Sequence, residues 1–470
     1  MSAGGDLTVL EHRQVSPAHG ISDAEKSFPL SFLDIPWLMF PPIHQLCFYE
    51  LPQCSKSHFI QTIVPNLKHS LSITLQHFFP LAGNLIVFPC TDPNTIPRKP
   101  EIRYVEGDSV SVTIAESTKD FDYLTGNQAR KADEFYPLVP KLGSITKESG
   151  SIKVPLLAIQ VTLFAGHGFC IGLTNHHTAC DGNARVNFIK AWASISKFGN
   201  DESFLASGSL PFFDRTIIND PNGLDAILWS QVSKTRVPEN QPQHISGNAD
   251  KVRATFIMTL EEINRIKKSI CAKAPTLTHV STFTIVCAIA WTSLVKVRDA
   301  IGGNKDDDDR ELFGCAADCR ARTDPPLPAT YFGNCITGCV APAKRDQLLG
   351  KEGFLNAVKL IGDGIHERFK NKNSIFAGAE FWMQDIKSYP PTAIGVAGSP
   401  KFSLYDTDFG WGNPKKCEIV TIDYSGSISL SSSRDSKEDI EIGLSLPKIQ
   451  MDVFETIFSN ELRSVLVEDQ

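Results

Sequence analysis

The sequence predicts a mixed α/β protein built in two parts. Three observations lead there. At 470 residues the chain exceeds what one growing core fills. Short apolar runs at Pro155 to Phe164 and Gly168 to Thr174, separated by Ala165-Gly166-His167-Gly168, read as adjacent strands followed by a helix. After a polar stretch the same mixture of strand and helix signals starts again at Lys251.

Taken in order, Leu7 to Val15 begins as a strand. Lys56 to Phe79 reads as a helix, because Phe59, Ile63, Leu67, Leu71 and Leu75 recur at four-residue steps until Pro80-Leu81-Ala82-Gly83-Asn84 stops it. A helix over Ala184 to Phe198 carries Phe188, Trp192 and Ile195 on one stripe. Prolines, asparagines and polar residues dominate Ser207 to Asp250, so the division is residues 1–206, a crossover over 207–250, and residues 251–470. The last part opens with a strand at Lys251 to Leu260 and helices at Leu260 to Lys273 and Ser281 to Val297. No fixed short period recurs, which excludes solenoids and propellers.

A net charge of −7 argues against a nucleic-acid partner, which requires a basic face. The opening Met1 to His19 has scattered charges, and no uncharged apolar run approaches a membrane span; the expectation is a cytosolic protein without a membrane anchor. The twelve cysteines are dispersed and read as reduced thiols. Cys315, Cys319, Cys335 and Cys339 have spacings that zinc tolerates, but their apolar surroundings favour small buried residues on a strand face, and no metal is expected. Asp306 to Asp309 read as a solvated acidic loop lacking the glycine and distal glutamate of a calcium loop.

One segment concentrates chemistry. Asn175-His176-His177-Thr178-Ala179-Cys180-Asp181-Gly182 lies between a predicted strand and a predicted helix, where a scaffold presents side chains to a cleft. Histidine suits general-base work, and an aspartate four residues on can orient the ring or tie down the turn. Alone, this spacing fits a polar strand-end histidine equally well. Two further segments accompany it: Tyr331-Phe332-Gly333-Asn334-Cys335, and Asp408-Phe409-Gly410-Trp411-Gly412 before Asn413-Pro414.

In this order the three segments resemble the plant BAHD acyltransferases. The text from Asp318 through Arg320 and Arg322 to Cys335 is similar to the branch that acylates anthocyanin and other flavonoid glycosides. The resemblance covers essentially the whole chain. It implies two similar α/β domains of the chloramphenicol-acetyltransferase type, each a mixed β-sheet with flanking helices, with the active site in the channel between them. It implies a monomer with no permanently bound cofactor, an acyl-CoA co-substrate, and His177 as the base that deprotonates a sugar hydroxyl. Asp181 and Gly182 are expected to be structural. Asp408 is expected to support the site through an ion pair with Arg320 or Arg322, Gly410 and Gly412 to form its turn, and Trp411 to offer its indole N–H to the oxyanion. For CoA the resemblance points to Lys251, Ser399 and Lys401, and a helix N-terminus at Ser281 and Thr282 suits a phosphate.

Arg185, eight residues after His177 and on the first turn of the predicted helix, bears on donor choice. A guanidinium pairs with a carboxylate, which malonyl-CoA carries and an aromatic acyl-CoA lacks. In a malonyltransferase that resembles this chain, an arginine here binds that carboxylate. The expectation is therefore malonyl transfer to a flavonoid glucoside, with a hydroxycinnamoyl donor as the alternative. Two other readings remain: a carrier-dependent condensation enzyme, which the doubled histidine resembles, and a catalytically silent flavonoid-binding protein on the same scaffold.

Overall fold

The computed structural model describes residues 6–18, 24–89, 96–148, 150–233, 250–277, 279–302 and 309–467. The expected stretch Pro238 to His244 and most of the acidic loop, Asp306 to Asp308, lie outside them.

Four sheets occur among the described residues, of six, five, five and two strands, and two of them position the site. The first has six strands in the order Leu7–Val15, Val110–Ser117, Leu157–Phe164, Gly168–Asn175, Ile43–Glu50 and Lys416–Ile419. Leu157–Phe164 and Gly168–Asn175 form the expected hairpin, with Phe164 opposite Gly168. Every residue of both strands is buried, as befits central strands covered on both faces. The second sheet has five strands: Val396–Ala397, Ile428–Ser432, Ile440–Pro447, Lys251–Met258 and Arg130–Lys131.

Each of these two sheets takes its last strand from the other half of the chain. Lys416–Ile419 pairs with Ile43–Glu50, and Arg130–Lys131 pairs with Lys251–Met258. At this exchange lies a buried ion network. Glu418 accepts from Arg130 and Arg253 at 2.9 Å each, and Arg253 also meets Asp423. Both guanidinium groups lie against the Phe135 ring. Desolvation alone would raise the Glu418 pKa, but Arg130, Arg253 and Lys416 together hold it down at about 2.

The predicted helices form, with one interruption. Phe59, Ile63, Leu67, Leu71 and Leu75 are all buried, yet the expected helix from Lys56 is α only to His58, runs as a π turn over Phe59–Ile63, and becomes α1 (Val64–His77). Pro65 provides the reason: it has no N–H to continue the ladder at the start of α1. The helix after the histidine segment, α2, spans Gly182–Phe198. The next two expected helices are Leu260–Lys273, opened by a capping box of Thr259 and Glu262, and α3 (Thr282–Ala300).

Packing crosses two of the expected boundaries. Within the expected crossover, Leu224–Val232 is a helix whose Leu224, Leu228, Trp229 and Val232 join the core of the first sheet. Phe409 joins that core as well, although the chain around it was expected to belong with residues 251–470. The four cysteines form two facing pairs, one within the antiparallel strands Arg310–Asp318 and Ile336–Lys344 and one just beyond their paired end. Cys315 is opposite Cys339, and the Cys319 and Cys335 sulfurs are 3.6 Å apart.

Candidate active site

The strand Gly168–Asn175 ends beside a short turn, His177–Ala179, before α2 begins. The two histidines diverge here. His176 is buried, and its Nδ1 accepts the N–H of Thr178 at 3.2 Å, so it caps the turn. His177 is only partly buried; its Nδ1 is enclosed without a hydrogen-bond partner among the described residues, leaving Nε2 as the nitrogen available to a substrate. Burial pushes both rings down to about 4, so at neutral pH His177 is an uncharged imidazole able to accept a proton.

Asp181 does not reach the imidazole in this arrangement, because its oxygens are taken. Oδ1 caps α2 by accepting from Ala184 N–H at 3.0 Å, Oδ2 accepts from Cys335 N–H at 3.0 Å, and Arg320 closes a buried ion pair at 2.9 Å. A further residue from the Tyr331–Cys335 segment grips the loop: Asn334 donates through Nδ2 to the carbonyls of His177 and Thr178 at 3.1 and 3.2 Å, and to Asp34 at 3.1 Å. Asp34, fully buried, is paired with Arg215 at 3.2 Å.

Trp37, on the short turn Ile35–Met39, stacks flat on the His177 ring, with centroids 4.0 Å apart and planes 9° apart. Phe40 adds its edge at 6.3 Å. Asp34, Trp37 and Asn334 carry no sign in sequence periodicity; their only signals are Asp34-Ile35-Pro36, an acid and a proline at a turn start, and the place of Asn334 in a flagged segment.

Arg185 lies one turn into α2 and is buried, 6% exposed. Its Nε and Nη1 have no hydrogen-bond partner among the described residues. Burial lowers its pKa, the mark of a charge removed from water without an adequate counter-ion. His44 belongs to the same region: its Nδ1 contacts Thr174 Oγ1 at 2.9 Å, and burial with the nearby Arg185 charge pushes it down to about 4.

Three sequence-based assignments change. Arg320 pairs with Asp181, not with Asp408. Arg322 lies over the Phe369 ring at 4.3 Å and lines a cleft of 490 Å³ with Phe32, Leu33 and Phe376. The partner of Asp408 is Lys197, at 2.9 Å near the C-terminal end of α2, and the carboxylate also accepts from Gly410 and Gly412 N–H. Those two glycines have φ of 106° and 95°, which is why residues without a side chain stand there.

Trp411 is consequently too far away to serve an oxyanion at His177. Its ring meets the edge of Phe169, at the opposite end of the strand that leads to the histidine loop. From Phe169 to Asn175 is roughly 20 Å at ~3.3 Å per residue. Lys197 is similarly removed from Gly182, by roughly 22 Å along α2 at ~1.5 Å per residue.

Of the expected CoA contacts, Ser399 and Lys401 come near the site: they begin the turn Pro400–Phe402, whose Phe402 ring lies so close over Gly182 that a Cβ there would be 2.7 Å from it. The Ser281 hydroxyl caps α3 with Thr284, Thr282 is the first residue of that helix, and Lys251 Nζ donates to the Asp423 carbonyl.

A mixed α/β chain that presents a partly buried, uncharged histidine on the turn between a central strand and α2 holds a general base suited to acyl transfer. The family model that matches, over residues 6–461, is the Transferase family, and the chain belongs to it, the BAHD acyltransferases its motifs resemble. Among curated proteins it is 45% identical over 98% of its length to the malonyl-coenzyme A:anthocyanin 3-O-glucoside-6''-O-malonyltransferase of Dahlia pinnata, matching 98% of that protein. It is 46% identical over 90% of its length to phenolic glucoside malonyltransferase 1 of Nicotiana tabacum, matching 91% of that protein. A coumaroyl-CoA:anthocyanidin 3-O-glucoside-6''-O-coumaroyltransferase of Arabidopsis thaliana is 37% identical, over 97% of each chain. Vinorine synthase shares the fold, with TM-score 0.66 and 21% identity over 95% of this chain and 96% of that one. So does F. sporotrichioides TRI101 complexed with coenzyme A and T-2, with TM-score 0.65 and 14% identity over 92% and 97%. No helix among the described residues is long and apolar enough to cross a membrane.

Proposed function

We propose that the chain transfers a malonyl group from malonyl-CoA to a sugar hydroxyl of an anthocyanin or other flavonoid glucoside. The observation that carries the donor is Arg185. A buried guanidinium whose Nε and Nη1 are unpartnered among the described residues, one helical turn beyond the histidine loop, is costly until an anion fills it. The malonyl carboxylate is such an anion, and a coumaroyl group is not.

In this reading His177 Nε2 takes the proton of the sugar hydroxyl while its oxygen attacks the thioester carbonyl. The tetrahedral intermediate collapses by breaking the carbon–sulfur bond, and the CoA thiolate recovers the proton from the imidazolium. Being uncharged at neutral pH, the base is wholly in its active form. Residues 1–206 and 251–470 form the two walls of the channel. Ser399 and Lys401, beside the N-terminus of α2, mark the side on which CoA lies, with Lys251 and the α3 start at Ser281 and Thr282 as further contacts. The protein works in the cytosol as a monomer, which sedimentation of the purified chain checks.

Mass spectrometry of products from malonyl-, acetyl- and coumaroyl-CoA against anthocyanin, flavonol and isoflavone glucosides tests the reading. A malonylated glucoside is expected from wild type and none from His177→Ala. Coumaroyl transfer in preference to malonyl would hand the assignment to the aromatic donor, and glucoside binding without any turnover would make the chain a silent binder.

A further inference from the structure

A general-base imidazole has to be held with one nitrogen toward the substrate, and in hydrolase triads a carboxylate on Nδ1 does this. Here that device is missing. Asp181 is spent on Arg320, Ala184 N–H and Cys335 N–H, and Nδ1 of His177 has no hydrogen-bond partner among the described residues. The ring is packed instead against the indole of Trp37, stacked at 4.0 Å and 9°, with the edge of Phe40 at 6.3 Å.

The turn bearing Trp37 is itself fixed. Pro36 restricts its backbone, and Ile35 and Leu38 are buried. Asp34, at its start, accepts from Ser31 N–H at 3.1 Å, Ser31 Oγ at 2.9 Å, Arg215 Nε at 3.2 Å and Asn334 N–H at 3.2 Å. The Asn334 amide that reaches Asp34 also holds the carbonyl of His177. One side chain thus joins the turn carrying the indole to the loop carrying the imidazole.

We infer that Trp37 is a positioning residue for the acyl transfer: its indole face takes the place of the orienting carboxylate, keeping Nδ1 inward and Nε2 toward the reacting groups. The role rests on the reading of His177 as the base. Steady-state kinetics of full-length Trp37→Leu and Trp37→Phe, with malonyl-CoA and an anthocyanidin 3-glucoside, test it. Loss of the flat ring in Trp37→Leu should lower kcat by about 10- to 100-fold, the scale of a small misplacement of a reacting group. The KM for malonyl-CoA should change little, and Trp37→Phe should recover most of kcat. A Trp37→Leu enzyme with undiminished kcat, a KM effect alone, or a Phe variant as impaired as Leu would overturn the role. Should the Leu variant not fold, Trp37→Met makes the same comparison against Phe. An active His177→Ala sinks the base assignment itself, whereas an inactive His177→Ala beside an unimpaired Trp37→Leu sinks only the positioning.

Discussion

Arg185 combines a functional need with a structural liability. The residue is 6% exposed and its Nε and Nη1 are without a hydrogen-bond partner among the described residues, so the protein without donor holds a desolvated charge. Two opposite effects of Arg185→Ala follow. The KM for malonyl-CoA should rise about 10- to 100-fold, from loss of a charge-assisted hydrogen bond of about 1.5–3 kcal/mol, with acetyl-CoA kinetics little altered. The Tm of the donor-free protein should stay level or rise, because the buried charge is gone. Steady-state kinetics and a thermal scan on one preparation check both, and an unchanged malonyl-CoA KM would remove Arg185 as donor reader. The position of this arginine was legible in the sequence, because eight residues after His177 falls on the first turn of a helix whose start is marked by Asp181. Trp37 was not legible: nothing local announces that a tryptophan 140 residues earlier will lie flat on the base.

Helix α2 links the two motifs that flagged the family. Its N-terminus is capped by Asp181 and carries Arg185; near its C-terminus, Lys197 pairs with Asp408, Ser196 Oγ donates to the Phe409 carbonyl at 2.8 Å, and Phe409 meets Trp192 edge-on at 4.9 Å. The late glycine-rich turn therefore clamps the far end of the helix that presents the site. Asp408→Ala removes an ion pair and the one oxygen that accepts from two N–H groups, and should cost about 1–3 kcal/mol of stability. Activity measured well below its Tm should survive far better than in His177→Ala. A variant as inactive as His177→Ala at full stability would return Asp408 to the reaction. Helical periodicity was legible in this element, down to the buried stripe of Phe188, Trp192 and Ile195. The partner of its Lys197 was not, since the choice among Lys197, Arg320 and Arg322 depends on which turn packs against which helix end.

Across the whole molecule, the exchanged strands and the Glu418 network bind the two sheets together, and acid should undo them in steps. His44 and His176 are buried with pKa values near 4 against an ordinary 6.5, so the unfolded chain binds protons first and stability is lost as pH falls from about 6.5 to 4. Each contributes on the order of 3 kcal/mol at most. Glu418, at about 2 against 4.5, behaves as a carboxylate: its contribution is present above 4.5 and disappears as pH falls toward 2. Thermal scans should show Tm falling from pH 6.5 downward and more steeply below 4.5. Glu418→Gln, which leaves two arginines buried beside a neutral group, should destabilise by about 3–5 kcal/mol at pH 7 and blunt the second fall. A flat Tm from pH 7 to 4 would contradict the burial of these histidines.

What the sequence determined by itself is what depends on near neighbours: strand and helix periods, the hairpin at Gly168, the histidine at a strand-to-helix joint, and motifs close enough to a family's to predict an acyltransferase. Tertiary structure alone decided who meets whom. It turned Arg320 to Asp181 and Asp408 to Lys197, moved Trp411 to the far end of a strand, stacked Trp37 on His177, and carried Lys416–Ile419 across to the opposite sheet. The physical reason is that a buried charge or ring is satisfied by whatever packing brings within a few ångströms, and that proximity arises from sheet register and helix placement over more than a hundred residues of chain.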